Sequence, residues 1–327
     1  MKPAQRVAVM LLAMFLCENM YGHEPKQAQQ YKSENSLMFV WDGVSSNAAE
    51  NQIKISDDQG HLITQLNVLR PVPEAQAVTI YDVSANEDLV AVAAVYKSKE
   101  GNQKFRPAAS LLVFDIHGEL LSVFALAASH AISRLVVDDK SHIWTLTDGA
   151  GAVADPSSVP LVVEYTPQGR IVREILTRDM FPFHALDTRE DVVIGRAVMG
   201  GYSGIVWLWL PGSTDLVTIS TNDGKATRMK TQLPTRQGRR QVVIGIFREP
   251  SGRLVGQFRE DDAQLRTAVP PEVVHYVWSP ATGSWSQFNP NGCENARLMG
   301  TSDKGLKFMR QGVNGFEPDN ICTTGAQ

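Results

Sequence analysis

The feature that most constrains the fold of this chain is a hairpin that recurs five times. Each copy reads as an apolar strand, a polar turn containing glycine, and a second strand. The copies are IKISDDQGHLITQL (53–66), LLVFDIHGELLSVFAL (111–126), VVEYTPQGRIVREIL (162–176), VTISTNDGKATRMKTQL (217–233) and HYVWSPATGSWSQF (275–288). Their turn glycines, Gly60, Gly118, Gly169, Gly224 and Gly283, recur every 51–59 residues. A hairpin period of that size belongs to a repeat array, in which each unit buries its apolar face only against its neighbours.

A second hairpin alternates with the first, at 78–96, 133–147, 183–198, 243–258 and 297–311. β-branched residues flanking a turn-forming gap are the strand signature. After the first 22 residues no stretch sustains the 3.6-residue apolar stripe of a long helix. Two hairpins per repeat give the four antiparallel strands of a propeller blade. Continuous apolar runs such as LLVF, VVIG and LVVEY suit strands buried on both faces. The expected fold is therefore an all-β propeller of four-stranded antiparallel blades.

The first hairpin copy at 53–66 has no partner before it, and 297–311 has none after it. The ring is expected to close by bringing N- and C-terminal strands together, which removes exposed sheet edges. Counting hairpins gives five blades. Extra strands at 36–42 and 204–210 raise the total to roughly 21–23, close to the 24 strands of six blades. Six is preferred, with five as the alternative.

The segment ISRLVVDDKSHIWTLTDGAG…VPLVVEYTPQGRIVREIL, within 132–176, resembles the blades of NHL-type and related bacterial six-bladed propellers, with weaker matches over 53–311. The resemblance implies the fold and no particular chemistry. Propeller lactonases of similar architecture hold a divalent ion with a Glu, an Asn and an Asp, and the sequence alone assigns those positions to no particular residues of this chain.

The N-terminus reads as an export signal. Lys2 and Arg6 precede an apolar run from Val7 to Leu16, with Gly22 as the small residue before cleavage. That run is too short for a bilayer-spanning helix, which needs about 20 residues. The expected organisation is a signal peptide over 1–22, a flexible segment over 23–35 and a propeller over 36–327, secreted or periplasmic, monomeric and without a transmembrane segment. Cys293 and Cys322 remain after the leader, and an exported pair of this kind is expected to form a disulfide.

A net charge of −4 lacks the basic excess of a nucleic-acid binder. The basic run Arg236–Arg240 reads as a solvated loop between strands. No P-loop, GxSxG elbow, calcium loop or HxxxH spacing occurs. Asp57–Asp58 and Asp138–Asp139 fall in hairpin turns, where Asp accepts backbone N–H bonds, and Asp261–Asp262 is a third acidic pair. His142 reads as a structural residue opening a strand.

The candidate ligand-binding residues are Arg134, His184, Asp187, Arg196, Trp207 and Trp209. The first four are polar groups on expected inner strands. Trp207 and Trp209 share one strand face, and packing between blades is weighed for them beside ligand stacking. These features favour a non-catalytic scaffold for a protein, peptide or glycan, without a cofactor. The alternative is a hydrolase, lactonase or lyase with a divalent metal in the channel.

Overall fold

The computed structural model describes residues 29–42, 44–45, 52–98, 109–127, 132–147, 159–177, 180, 197–209, 215–232, 234–236, 239–249, 251–260, 273–293, 296–302, 305–312 and 315–324. All of its regular elements are strands. The first are β1 (Gln29–Glu34), β2 (Leu37–Asp42), β3 (Val44–Ser45), β4 (Gln52–Ser56) and β5 (Leu62–Asn67). Next come β6 (Ala75–Ala85), β7 (Leu89–Ser98), β8 (Ala109–Asp115) and β9 (Leu120–Ala125), then β10 (Ile132–Val137), β11 (Ile143–Thr147), β12 (Pro160–Tyr165) and β13 (Ile171–Thr177). β14 (Val198–Tyr202), β15 (Ile205–Trp209), β16 (Asp215–Ser220) and β17 (Ala226–Lys230) follow. β18 (Thr235–Arg236), β19 (Arg239–Arg248), β20 (Leu254–Glu260), β21 (Val273–Ser279) and β22 (Ser284–Phe288) precede the last three strands. These are β23 (Arg297–Ser302), β24 (Gly305–Gly312) and β25 (Gly315–Thr324).

The strands form five hydrogen-bonded sheets of a β-propeller: β10–β13, β14–β17, β3 with β6–β9, β18–β22, and a seven-stranded sheet in the order β25-β24-β23-β1-β2-β4-β5. By sheet count the propeller has five blades, the alternative number. The largest sheet explains why the sequence also supports six. It joins two antiparallel groups, β1-β2-β4-β5 and β23–β25, through one parallel pair, Ser33 with Gly300. The innermost strands β1, β6, β10, β14, β19 and β23 thus follow one another around the axis.

The terminal strands close the ring, by a different pairing from the one expected. β4–β5 does not complete a blade begun by β23–β24; β1 and β2 stand between them. The flexible segment expected over 23–35 does not hold at its C-terminal end, where Gln29–Glu34 is a strand. This strand shows no apolar alternation because polar groups face it. Lys32 Nζ donates to Val83 O at 2.7 Å and Asp82 Oδ1 at 3.2 Å, and Ser84 Oγ donates to Glu34 Oε1 at 2.9 Å. The basic run also differs: Thr235–Arg236 and Arg239–Arg240 pair as a short hairpin.

The core lies between sheets, and single strands feed two interfaces at once. Along β7, Val90, Val92, Ala94 and Tyr96 pack toward Phe39, Trp41 and Ile53 of one neighbour, while Leu89, Ala91 and Ala93 pack toward Leu135 and Val163 of the other. Along β15, Val206 and Leu208 face Trp144, whereas Trp207 and Trp209 face Phe258 and Trp285. Successive strand side chains point to opposite faces, so a continuous apolar run is what such a position requires.

The turn glycines have two functions. Gly118, Gly169 and Gly224 have φ of +95°, +83° and +72°, a region costly for residues with a Cβ. Each also leans on the outermost strand of the preceding blade. A Cβ there would meet Thr64 at 2.7 Å, the Phe124 ring at 2.6 Å and Arg173 at 2.8 Å respectively.

His275 on β21 is 3% exposed, its ring edge-on to Phe308 at 5.1 Å, and Nε2 has no hydrogen-bond partner. Burial pushes its pKa down to about 4. The unfolded imidazole takes its proton near pH 6.5, so the stability tied to neutral His275 is present above that pH and lost as pH falls toward 4. Between pH 7.5 and 4.5 this amounts to about 2–3 kcal/mol. In urea titrations at those two pH values, His275→Leu should shrink the pH-dependent loss by that amount. Parallel losses in the two proteins would refute the assignment.

Candidate functional site

The turns that join the innermost strands to their neighbours converge at one end of the ring and enclose a cavity of about 630 Å³. The β1–β2 turn supplies Asn35 and Ser36, the β6–β7 turn Asn86, Glu87 and Asp88, and the β10–β11 turn Asp138 and Asp139. The β14–β15 turn adds Ser203 and Gly204, and Thr221 follows β16. A volume of 300–1,000 Å³ is usual for a small-molecule site.

Local hydrogen bonds set each turn. Asn35, Ser36 and Ser203 hold φ of 48°, 63° and 44°, uncommon values for residues with a Cβ. Asn35 Nδ2 donates to Ala85 O at 2.7 Å, which ties the first turn to the second. Asn86 Oδ1 accepts from the amides of Asp88 and Leu89, both at 2.9 Å, and its Nδ2 donates to Asp138 O at 2.8 Å. Side chains thus fasten three successive turns into one rim.

Asp138 is the most committed acid of that rim. Its Oδ1 accepts from the amides of Lys140 and His142 at 2.9 and 2.8 Å, and its Oδ2 accepts from Trp144 Nε1 at 2.9 Å. Asp57 and Asp115 repeat the amide pattern in their own hairpins. The turn reading therefore holds at Asp57 and Asp138. Glu87, Asp88 and Asp139 are exposed at the cavity. Thr221 differs from all of them: it is 2% exposed, and its Oγ1 has no hydrogen-bond partner.

A second polar group lies deeper in the ring. Burial lowers the pKa of Lys32, but the carboxylates of Asp82 and Glu34 outweigh it and leave the ammonium above its ordinary value. Burial raises Glu34, against the opposing pull of Lys32. Asp82 Oδ2 accepts from the Leu135 amide at 3.0 Å, and Ser84 Oγ from the Val137 amide at 2.9 Å. These side chains occupy amides of β10 that would otherwise form an unpaired edge. Lys32 and Glu34 also border a smaller cavity of about 50 Å³, with Trp207, Arg248 and Thr301.

Among the described residues one trio has the spacing of metal ligands: donor atoms of Asp138, His142 and Glu164 lie within 4.8 Å of one another. Most of their donor atoms already have partners. His142 Nδ1 meets Glu164 Oε1 at 2.6 Å, Arg173 Nε pairs with Glu164 Oε2, and Asp138 holds its three donors. A cation would have to displace these contacts, so the donor set fits a buried salt-bridge network better than a metal centre.

Of the sequence-derived candidates, Arg134, Trp207 and Trp209 are among the described residues, and none of the three lines the mouth cavity. Arg134 lies on β10 and its Nη1 donates to Ser133 O at 2.5 Å. Trp207 donates to Ile246 O at 3.4 Å, and Trp209 stands edge-on to Trp285 at 6.4 Å. Both indoles are buried between blades, which is the packing role weighed for them. His184, Asp187, Arg196 and the pair Asp261–Asp262 lie outside the described residues. The cavity residues Asn35, Ser36, Asn86 and Thr221 were missed. Their signal was positional: each sits at or beside a turn at the same end of its blade.

No protein-family model matches the chain, and no curated protein does. Among solved structures, a Bacteroides fragilis protein described as exported is similar with a TM-score of 0.50 at 8% identity, covering 88% of this chain and 80% of its own. Streptogramin B lyase gives 0.43 at 11% identity, over 86% and 87% of the two chains. A family PL25 ulvan lyase gives 0.43 at 13%, over 86% and 76%. At these identities the likeness speaks for the fold alone. The propeller is shared with bacterial proteins; the NHL-type assignment is not established. No helix among the described residues is long and apolar enough to cross a membrane.

Asp138→Ala should leave two amides and a buried indole without an acceptor, costing about 3 kcal/mol in urea denaturation. Asp139→Asn, one residue on and exposed, should stay within about 0.5 kcal/mol of the parent. Equal effects at the two positions would mean that the turn, and not the Asp138 network, is what matters.

Proposed function

We propose that this propeller is an exported, non-catalytic binding scaffold whose ligand seats in the cavity at the mouth of the ring. The observation that supports this most is the cavity itself, walled by polar turns from four successive blades and fastened by side-chain hydrogen bonds. Rigid strands present the turns, so the site exists before any ligand arrives. The acid that would be the natural general base, Asp138, is engaged by three donors and is poorly placed for proton transfer. The metal-dependent hydrolase or lyase remains the second reading, and the Asp138–His142–Glu164 spacing is what favours it.

Export supplies the setting for a further element, a disulfide between Cys293 and Cys322. Cys293 is 1% exposed and packs with Phe308, and Cys322 lies opposite Phe308 in the β24–β25 ladder. Such a bond secures the final strands of the ring where fraying would begin.

Thermal shifts with maltohexaose, chitohexaose, hexa-alanine and hexalysine test the scaffold. At least one should raise Tm, and Ile205→Trp, which fills the mouth, should abolish that rise. A shift that survives Ile205→Trp places the ligand elsewhere, and metal-dependent cleavage of any probe replaces the scaffold with the enzyme. For the disulfide, closing a loop of about 30 residues is worth roughly 3–4 kcal/mol. Cys293→Ser should therefore lower stability by about that much more under oxidising than under reducing conditions.

A further inference from the structure

We infer that the mouth cavity is built for an organic cation, a ligand carrying primary ammonium groups; this rests on the mouth being the binding site. Among the described residues, four acidic residues line the cavity, Glu87, Asp88, Asp138 and Asp139, and no Lys, Arg or His does. The basic residue closest in sequence, Lys140, follows Asp139 directly, yet its ammonium is bonded to Asn222 Oδ1. The four acids come from two adjacent turns that Asn86 holds together, and like charges gathered there set up a repulsion. A bound cation would relieve it, more strongly at low ionic strength because salt screens such charges.

The second observation is independent of charge. Thr221 Oγ1 is a buried hydroxyl without a partner on the cavity wall. A Cβ placed on Gly204 would find only that oxygen within 4 Å, at 3.9 Å. Buried hydroxyls nearly always find a partner. An ammonium has three N–H donors and no acceptor, which matches a hydroxyl oxygen beside carboxylates. The acids do not make a preformed divalent site: among the described residues, only Asp138 of the four belongs to a group with metal-ligand spacing, and its partners lie elsewhere. A ligand that spreads its charge along a chain suits the mouth better than a compact ion. Two sources carry this chemistry, a free polyamine and a lysine-bearing peptide.

Isothermal titration at 20 and 300 mM NaCl with spermidine, hexalysine, maltohexaose and hexaglutamate tests the inference on the full chain. Spermidine or hexalysine should bind, hexaglutamate should not, and binding should weaken at the higher salt. Spermidine binding as tightly as hexalysine identifies the small polyamine as the source; hexalysine alone identifies the peptide. The double variant Asp88→Asn/Asp139→Asn should lose at least tenfold in affinity. Thr221→Val, which keeps the net charge, should lose several-fold. Glu74→Gln/Glu119→Gln, away from the cavity, should change affinity less than twofold. Circular dichroism and Tm confirm that each variant is folded.

An equal loss from the distal pair overturns the inference in favour of diffuse attraction, and absence of binding by either cation overturns it outright. If maltohexaose binds, is lost with Ile205→Trp and ignores the acid substitutions, the mouth stands and the cationic ligand falls. Cation binding that ignores Ile205→Trp removes the mouth as the site.

Discussion

Burial of both faces of nearly every sheet is the constraint on which this structure depends. A sheet such as β6–β9 has apolar side chains on both sides, and neither side is covered by the sheet itself. Two flanking sheets must be present, and each of those needs another. An open row would leave two uncovered faces at its ends, and joining the ends is what removes them. The apolar clusters among the described residues follow directly, each lying between neighbouring sheets.

The axis is instead polar, which shapes the chemistry available there. Strand β10 ends its sheet with no strand paired on its inner side, so its amides need other acceptors. Asp82 and Ser84 provide them for β10, while Lys32 and Glu34 bind β6 to β1. The same economy governs the rim, where Asn86 and Asp138 hold turns in place. The buried acids Asp82 and Asp138 hold backbone and indole donors, while Glu164 and Glu249 hold basic side chains. At the mouth, the groups free to meet a ligand are the exposed acids and the Thr221 hydroxyl.

Much of this fold was legible in the sequence, because hairpin turns and two-sided apolar runs are local signals. The glycine at +95° and the Asp that caps its own turn are written in five or six consecutive residues. The strand β1 was not legible. Its order comes from Asp82, Val83 and Ser84, some 50 residues away, and its own residues are polar. The mouth was hidden for a related reason: Asn35, Asn86, Asp139 and Ser203 look like ordinary turn residues one at a time. Only the ring shows that these turns lie side by side. Trp207 and Trp209 illustrate the reverse case, where alternation correctly put two indoles on one face but could not say that another blade covers it.

The turn glycines carry one more implication. Gly118, Gly169 and Gly224 each rest on the previous blade with no room for a methyl group, so the distance between adjacent outer edges is set by bare backbone. In a closed circle such small spacings accumulate. A bulkier residue at every turn would widen each wedge in the same sense, and a ring of fixed membership could no longer meet itself. The glycines thus act as a gauge for the angle between blades. Three of the residues that first reveal the repeat also set how closely adjacent blades approach.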